Sequence, residues 1–599
     1  MAKTPDLTIR GRTIPIWGIA IFFLSFSLVA YSAYLNIGFS ADDFIFINML
    51  EGAIPYNPLY GFWYGEIDAY PGFNALWWIE PGVEGAFLRP LPSWVLTLLY
   101  QTFGRNDLPY HLLLVVIHGM VAFSAFLVLR RLSRQGIPAF LAALLFLICE
   151  DHGMTVAWIT TLTDLLCVLF LNLAFLCHMV GRQDGKRWSF LLSLVFFLAA
   201  LTSKETAIVY PMIIIAFEFL YADRLKGAPL GITLPIRFRY FLQHWWAWGI
   251  PLITLAAYMI YYRSLIPPMR NLMYIDPITQ PLDYLSAAIT NQPVMFVGLL
   301  TQFLPSLAVM LPASRPFVIV IGVILIALLV WALFPYRRER TIWFALLIFV
   351  LGLLPGLATD PGERLLYFPS VFGLYVIAWL IIQIPFLRRL TLPDAPPGVR
   401  FLGPAWGWYL LISALILPLI LLFVYPSMWI PGLQLPENTV LDSLEHIDQN
   451  VHEHVIYLNT NSSFNTFYLP DIYRYHRGEY LDLRILSSFN GRVLARQESN
   501  HVLVLKTEDF GWLNNMFART VRLTPLFAES DTYTNPLFTA TILSVTPDSQ
   551  DVQEVRFEFA LPLDDPSTVL LYYDGQTFRR WEPSSEWQLL NPTLDPFSF

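Results

Sequence analysis

Ile37-Gly38-Phe39-Ser40-Ala41-Asp42-Asp43-Phe44, residues 37–44, follows directly on an apolar run at 14–36. Two adjacent carboxylates at the mouth of a bilayer-length segment are costly unless they meet water or a cavity. Such a pair marks a proton relay, an ion site or a catalytic base. Which reading holds depends on what else the chain brings to the same side of a membrane.

The chain has 599 residues, 56% of them hydrophobic and 14% charged, with a mean hydropathy of +0.53. A soluble chain carries about a quarter charged residues, so this balance predicts a polytopic α-helical membrane protein. The net charge of −8 is dispersed, which argues against a nucleic-acid partner. The three cysteines, Cys149, Cys167 and Cys177, lie in or beside one predicted pair of spans and read as buried thiols. Residues 14–35 resemble a signal peptide in length, but no small-residue cleavage site follows; they are read as an uncleaved first span.

Basic residues cluster at Lys3/Arg10/Arg12, Arg130/Arg131/Arg134, Arg182/Lys186/Arg187, Arg224/Lys226/Arg237/Arg239, Arg337/Arg338/Arg340 and Arg388/Arg389/Arg400. The positive-inside rule puts all six clusters in the cytoplasm. Between them the chain must go out and return, through 14–36, 109–129, 137–149, 164–180, 188–202, 205–221, 244–262, 316–335, 341–357, 366–386 and 405–425. This predicts about eleven crossings, with the amino terminus inside and the carboxyl terminus outside. Residues 292–311 are also apolar, but a crossing there would break the alternation. They contain Pro293 and Pro305 and are read as an interfacial or re-entrant helix within an outer loop at 264–315.

The domain division expected is 1–425 for the membrane module and 426–599 for an extracytoplasmic, mainly-β domain. In the latter, short alternating runs at His454–Asn459, His501–Lys506, Ala540–Val545, Val555–Ala560 and Val569–Tyr573 read as strands, and Tyr573-Asp574-Gly575-Gln576 as a hairpin turn.

This topology uses no functional information, yet it collects the ionisable residues outside the basic clusters on one face. The first outer loop, 37–108, carries Asp42, Asp43, Glu51, Glu66, Asp68, Glu80, Glu84 and Arg89. Later outer segments bring Glu150, Asp151, His152 and Asp164, then Lys204 and Glu205, then Arg263, Arg270 and Asp276, and finally Asp360, Glu363 and Arg364. A sugar joined through phosphate to a membrane lipid has a good leaving group and needs no general acid. It needs a carboxylate to take the proton of the attacking hydroxyl, and cations to hold the phosphate. Asp42 or Asp43 fits the first requirement; Arg89, Lys204 and Arg364 fit the second. A glycosidase would need two carboxylates flanking the bond, which adjacent aspartates pointing apart on an extended strand do not provide.

Five motifs in order carry a resemblance: the pair Asp42-Asp43, Leu88-Arg89-Pro90-Leu91, Asp151-His152-Gly153-Met154-Thr155-Val156-Ala157-Trp158-Ile159 with Asp164-Leu165-Leu166, Thr202-Ser203-Lys204-Glu205, and Gly362-Glu363-Arg364-Leu365-Leu366-Tyr367-Phe368-Pro369-Ser370. Over residues 14–386 the chain resembles the GT-C-fold glycosyltransferases that use polyprenyl-phosphate sugars. Within them it is most similar to tetratricopeptide-containing protein O-mannosyltransferases and related bacterial proteins. The resemblance implies a membrane glycosyltransferase moving a sugar, such as mannose, from a polyprenyl-phosphate donor to a hydroxyl of a protein or glycan, with inversion and an aspartate base. It implies Asp42 as that base with Asp43 beside it, and Arg89, His152, Asp164, Lys204, Glu205, Glu363 and Arg364 as substrate-binding residues. Some GT-C enzymes hold a divalent cation with acidic loop residues, and the resemblance leaves that alternative open. The O-mannosyltransferase-like members do without one, and neither the aspartate pair nor His152 has ligand spacing here, so a divalent cation is not the favoured reading and no cofactor is firmly implied. Met154 stands where the family has an acidic residue. No tetratricopeptide repeats follow, so acceptor choice need not carry over.

Two other classes compete. A transporter or flippase of lipid-linked substrates would use the carboxylates as a proton relay, but calls for ionisable groups at mid-membrane and related halves. A catalytically silent anchor for the β domain would leave the outer charges without a role. The location expected is a bacterial plasma membrane.

Overall fold

The computed structural model describes residues 8–591 except 10–11, 59–62, 67–71, 228–232, 267–270, 386, 388–402, 449–450, 462, 489–491, 509–510, 514–515 and 548–550. Lys3, Arg10, Asp68, Arg270, Arg388, Arg389 and Arg400 lie outside the described residues.

Each apolar segment predicted above is helical. Local chemistry sets the ends. The Leu108–Ser133 helix opens on Pro109, which gives up only an N–H that a first turn leaves unpaired anyway. It closes on Arg130 and Arg131, cations placed at the negative end of the helix dipole, and stops at Arg134, which turns left-handed at φ 63°. The Leu162–Asp184 helix has Asp164 in its first turn, Arg182 in its last, and Gly185 at φ 74° to end it.

Among the described residues, four helices are long and apolar enough to cross a bilayer: Leu108–Ser133, Ile159–Asp184, Arg315–Tyr336 and Arg340–Ala358. A fifth results if Gly136–Ile148 and Glu150–Ala157, bent by 54°, form one broken span. Ile16–Ala30, Trp188–Leu201, Ser370–Ile382 and Gly407–Leu422 are apolar but shorter. The Arg315–Leu333 helix turns Phe317, Val320, Ile321, Val323 and Ile324 outward. So continuous an apolar surface requires lipid, and the chain is an integral membrane protein on that ground.

The stretch expected to be interfacial or re-entrant forms a longer helix that begins earlier, Pro281–Thr301, and stops where Gln302 turns left-handed at φ 58°. Asn291 donates to the Thr359 carbonyl at 3.3 Å, and Gln302 accepts from the Glu150 N–H at 3.2 Å. These two points along the helix therefore meet segments assigned to the same outer face. It crosses the Arg315–Leu333 helix at Gly322, where a side chain would collide with the Pro293 carbonyl.

A Gly403–Leu411 helix leads through a π-helical turn, Ile412–Ile416, into a helix that continues to Leu444, straight through the boundary expected at 425/426. Two sheets follow. The first runs Gln588–Leu589, Val493–Ser499, Val502–Thr507, Val552–Phe559, Phe538–Val545, Thr532–Thr534 in spatial order, antiparallel throughout. The second runs Phe578–Arg580, Thr568–Tyr573, His454–Tyr457, Asp482–Ile485. The strands anticipated from alternation are present, and the predicted turn closes the Tyr573/Phe578 hairpin with Gly575 at φ 100°.

The mainly-β expectation needs one correction. His454–Tyr457 and Asp482–Ile485 pair in parallel, which requires a crossover, and that crossover is a 15-residue helix, Ser463–Arg477. Pro470 inside this helix masks it in the sequence. Its neighbours are in the first outer loop. The sheet region beside it rests on the same loop: Trp77 Nε1 donates to the Leu486 carbonyl at 2.9 Å, and Arg522 pairs with Glu80 at 2.8 Å.

Candidate functional site

The aspartate pair opens a helix, Asp42–Leu50, rather than lying on an extended strand. Ala41, at φ 53° and ψ −122°, makes the sharp turn that starts it, closed by the Asp43 N–H donating to the Ser40 carbonyl at 3.0 Å. An alanine with a left-handed φ carries strain of about 1–3 kcal/mol, of a kind that collects at functional sites.

The turn separates the two carboxylates. Asp43 points into the protein, 2% exposed, and accepts from the Ser40 and Thr160 N–H groups at 3.0 and 3.1 Å. It braces the first outer loop against the segment after Trp158. Asp42 stays partly open and accepts from the Tyr468 hydroxyl at 2.8 Å. Burial pushes its carboxyl up, opposed by the Tyr468 hydrogen bond and by the nearby charges of Arg364 and Arg89.

The cations come from three separate stretches. Arg89 stands just before the Pro90–Phe103 helix and grips Glu205 with Nη2 at 2.7 Å and Nε at 3.1 Å, its guanidinium 4.1 Å from the centre of the Phe87 ring. Lys204, in the bend after Trp188–Leu201, meets both oxygens of Asp164 at 2.6 and 2.5 Å. Burial holds its ammonium below the usual lysine range; Asp164 opposes this, while Arg89 and Arg364 add to it. Arg364 is exposed, with its guanidinium 5.5 Å from the centre of the Trp158 ring, and has no carboxylate partner among the described residues. A small pocket is lined by Asp164, Cys167, Thr206, Gly352, Gly356 and Arg364, among others.

Asp42, Arg89, Asp164, Lys204, Glu205 and Arg364 are therefore brought together; three of the residues singled out in the sequence do not face this group: Asp43, which points into the protein, and His152 and Glu363. His152 is fully buried: Nδ1–H donates to the Phe146 carbonyl at 2.9 Å, and Nε2 lies 2.9 Å from the Ser370 hydroxyl. Glu363 turns toward the Pro281–Thr301 helix and its connector, accepting from the Ser306 N–H at 3.0 Å and from the Ser306 hydroxyl. Both tie outer segments together. Sequence reading missed Tyr468, which nothing local distinguishes, and Trp158, whose place beside a cation emerges only once the loops pack. Cys149, Cys167 and Cys177 are free thiols. Among the described residues no group of three or more His, Cys, Asp or Glu could hold a metal ion.

Residues 87–231 match the family model for dolichyl-phosphate-mannose-protein mannosyltransferases. That segment carries Arg89, His152, Asp164, Lys204 and Glu205, and is thus protein-O-mannosyltransferase-like where both ion pairs are built. A curated relative, the protein O-mannosyl-transferase Tmtc1 of Drosophila melanogaster, is 36% identical over 135 residues, 22% of this chain and 15% of that protein. The chain thus spans well under two thirds of the relative's length. Among solved structures, the archaeal oligosaccharyltransferase AglB of Archaeoglobus fulgidus, in complex with an inhibitory peptide and a dolichol-phosphate, aligns at 11% identity. Its TM-score is 0.40, covering 80% of this chain and 66% of that one. ArnT of Cupriavidus metallidurans, bound to undecaprenyl phosphate, aligns at 12% identity with a TM-score of 0.35, covering 78% and 86%.

Proposed function

We propose that this protein is a membrane glycosyltransferase that moves a sugar, mannose being the first candidate, from a polyprenyl phosphate to an acceptor hydroxyl on the extracytoplasmic side. Asp42 takes the proton from the acceptor hydroxyl as its oxygen attacks the anomeric carbon. The bond from that carbon to the phosphate oxygen breaks, its electron pair stays with the phosphate, and attack from the opposite face inverts the centre. Arg364 receives the phosphate, and Arg89 and Lys204, held by Glu205 and Asp164, add positive potential around it. The leaving group then carries a charge that no proton has to neutralise.

The observation that carries this reading is the imbalance of charge. Two cations are matched by carboxylates, whereas Arg364 and Asp42 have no salt-bridge partner among the described residues, and Arg364 is near enough to stabilise the Asp42 carboxylate. A guanidinium left over beside a carboxylate left over suits an anionic donor and a protic acceptor. The curated relative, a protein O-mannosyl-transferase, supports a protein hydroxyl as the acceptor.

The test is to incubate the purified protein with radiolabelled polyprenyl-phosphate mannose, glucose and other sugars in turn, and to follow both donor consumption and the label. Transfer to peptide or glycan hydroxyl, abolished in Asp42→Asn, is expected. Consumption of no polyprenyl-phosphate sugar would remove the proposal.

A further inference from the structure

We infer that Tyr468, from the sheet-bearing C-terminal region, positions Asp42 for proton transfer, so that this region completes the catalytic centre. The inference rests on the reading of Asp42 as the base. The two residues are 426 positions apart, yet the hydroxyl donates to Oδ1 of Asp42 at 2.8 Å, and the Tyr468 side chain is 4% exposed. A phenol has one proton to give. Spent on Oδ1, it leaves Oδ2 as the atom free to accept a proton from an incoming hydroxyl, and it fixes the carboxylate plane in which that atom lies.

The placement is not accidental contact between two surfaces. The helix carrying Tyr468 is joined to the helix carrying Asp42 at two further levels. Asn48 Nδ2 donates to Asp471 Oδ1 at 3.0 Å, and the same oxygen accepts from the Tyr480 hydroxyl at 2.8 Å. Arg474 donates to Asn48 Oδ1 at 3.0 Å and pairs with Glu51. Residues 468, 471 and 474 are three apart and lie along one side of their helix. Phe467 packs edge-on against Phe73 of the first outer loop, with ring centres 4.7 Å apart. The Asn48–Asp471 and Asn48–Arg474 contacts hold the crossover helix against the Asp42 helix, and that packing determines where the phenol lands.

The groups facing Asp42 are Tyr468 from the C-terminal region, Arg89 and Arg364 from outer segments, and Asp43 on its own helix. Burial raises the Asp42 pKa and the phenol opposes it. Removing the phenol lets the carboxyl take up a proton at higher pH, so the acid limb of the rate profile moves up.

The experiment uses the full chain in detergent or liposomes with the polyprenyl-phosphate sugar it consumes. Tyr468→Phe is expected to lower kcat about 10- to 100-fold, the worth of a hydrogen bond to a charged group. KM for the donor should stay within about twofold and the acid limb should rise by about one to two pH units, the shift matching a hydrogen bond of that strength. An unchanged rate, or a reduced rate with an unmoved acid limb, would overturn the inference. Should Tyr468→Phe fail to fold, 3-fluorotyrosine at 468, a stronger donor of nearly the same shape, must move the limb to lower pH; an unmoved limb again overturns it. Full turnover by Asp42→Asn would sink the base and this inference together, whereas an inactive Asp42→Asn with an unaffected Tyr468→Phe sinks this inference alone.

Discussion

The Leu162–Asp184 helix carries buried ion pairs at both ends, and the ends are built differently. At the basic end, Glu218 takes Arg182 at 2.7 and 2.8 Å and His178 at 2.8 Å, with all three side chains no more than 5% exposed. Arg182 is covered further by the Trp246 ring, 5.3 Å away. One carboxylate absorbs both partners and nothing remains to bind. At the other end, Asp164 takes Lys204 and Glu205 takes Arg89, but these pairs stand beside a cation and a carboxylate that neither pair neutralises. Closed charge networks hold helices together; unbalanced ones leave potential for a ligand.

Mutations at the two ends should fail differently. The largest effect expected is for Asp42→Asn: removal of a general base lowers transfer about 10²–10⁴-fold, measured as donor turnover. Because burial raises the Asp42 pKa, the folded state holds that proton more tightly than the unfolded chain, and the ionised carboxylate costs stability at neutral pH. The asparagine variant should therefore melt at the same temperature or higher.

At the closed end the pattern reverses. Glu218→Ala strands Arg182 and His178 without their carboxylate and is expected to cost about 3–5 kcal/mol of stability, seen as a lower melting temperature, while turnover per folded molecule is unchanged. A catalytic loss in Glu218→Ala that exceeds its unfolding would break the contrast.

Arg364→Ala should lower kcat about 10²–10³-fold, the scale for losing one preorganised charge-stabilising donor, with the melting temperature unmoved because the guanidinium has no ion-pair partner to abandon. Equal loss of stability and rate would mean that Arg364 is structural.

The smallest effect is in the wild type. With Asp42 raised above the ordinary carboxylate range by burial, kcat/KM should fall on the acid side at a pH above about 4, the value for an unperturbed aspartate, as the base gains its proton. A rate constant down to pH 4 would deny Asp42 the role of base.

Much of this arrangement is legible in the chain. Apolar runs alternate with basic clusters, and that pattern alone marks the helices, because lipid leaves backbone N–H and C=O groups no partner but each other. Asp42, Arg89, Lys204 and Arg364 stand out because charge beside a span is rare. Their partners were less legible. That Lys204 chooses Asp164 and Arg89 chooses Glu205 depends on how four segments cross, and Lys204 and Glu205 are neighbours in sequence that pair with different helices. The two aspartates look equivalent until the turn at Ala41 sends one inward and the other outward. His152 and Glu363 sit in the right motifs but spend their polar atoms on Ser370 and Ser306.

By itself the sequence determined a helical membrane body, a sheet-rich region after it, and the face on which the ionisable residues gather, because hydropathy and charge are local properties read along the chain. Only the tertiary structure decided which carboxylate remains open, which cation remains unpaired, and that a tyrosine from the far end of the chain touches Asp42. Those outcomes depend on contacts between residues hundreds of positions apart, and no periodicity or spacing encodes them.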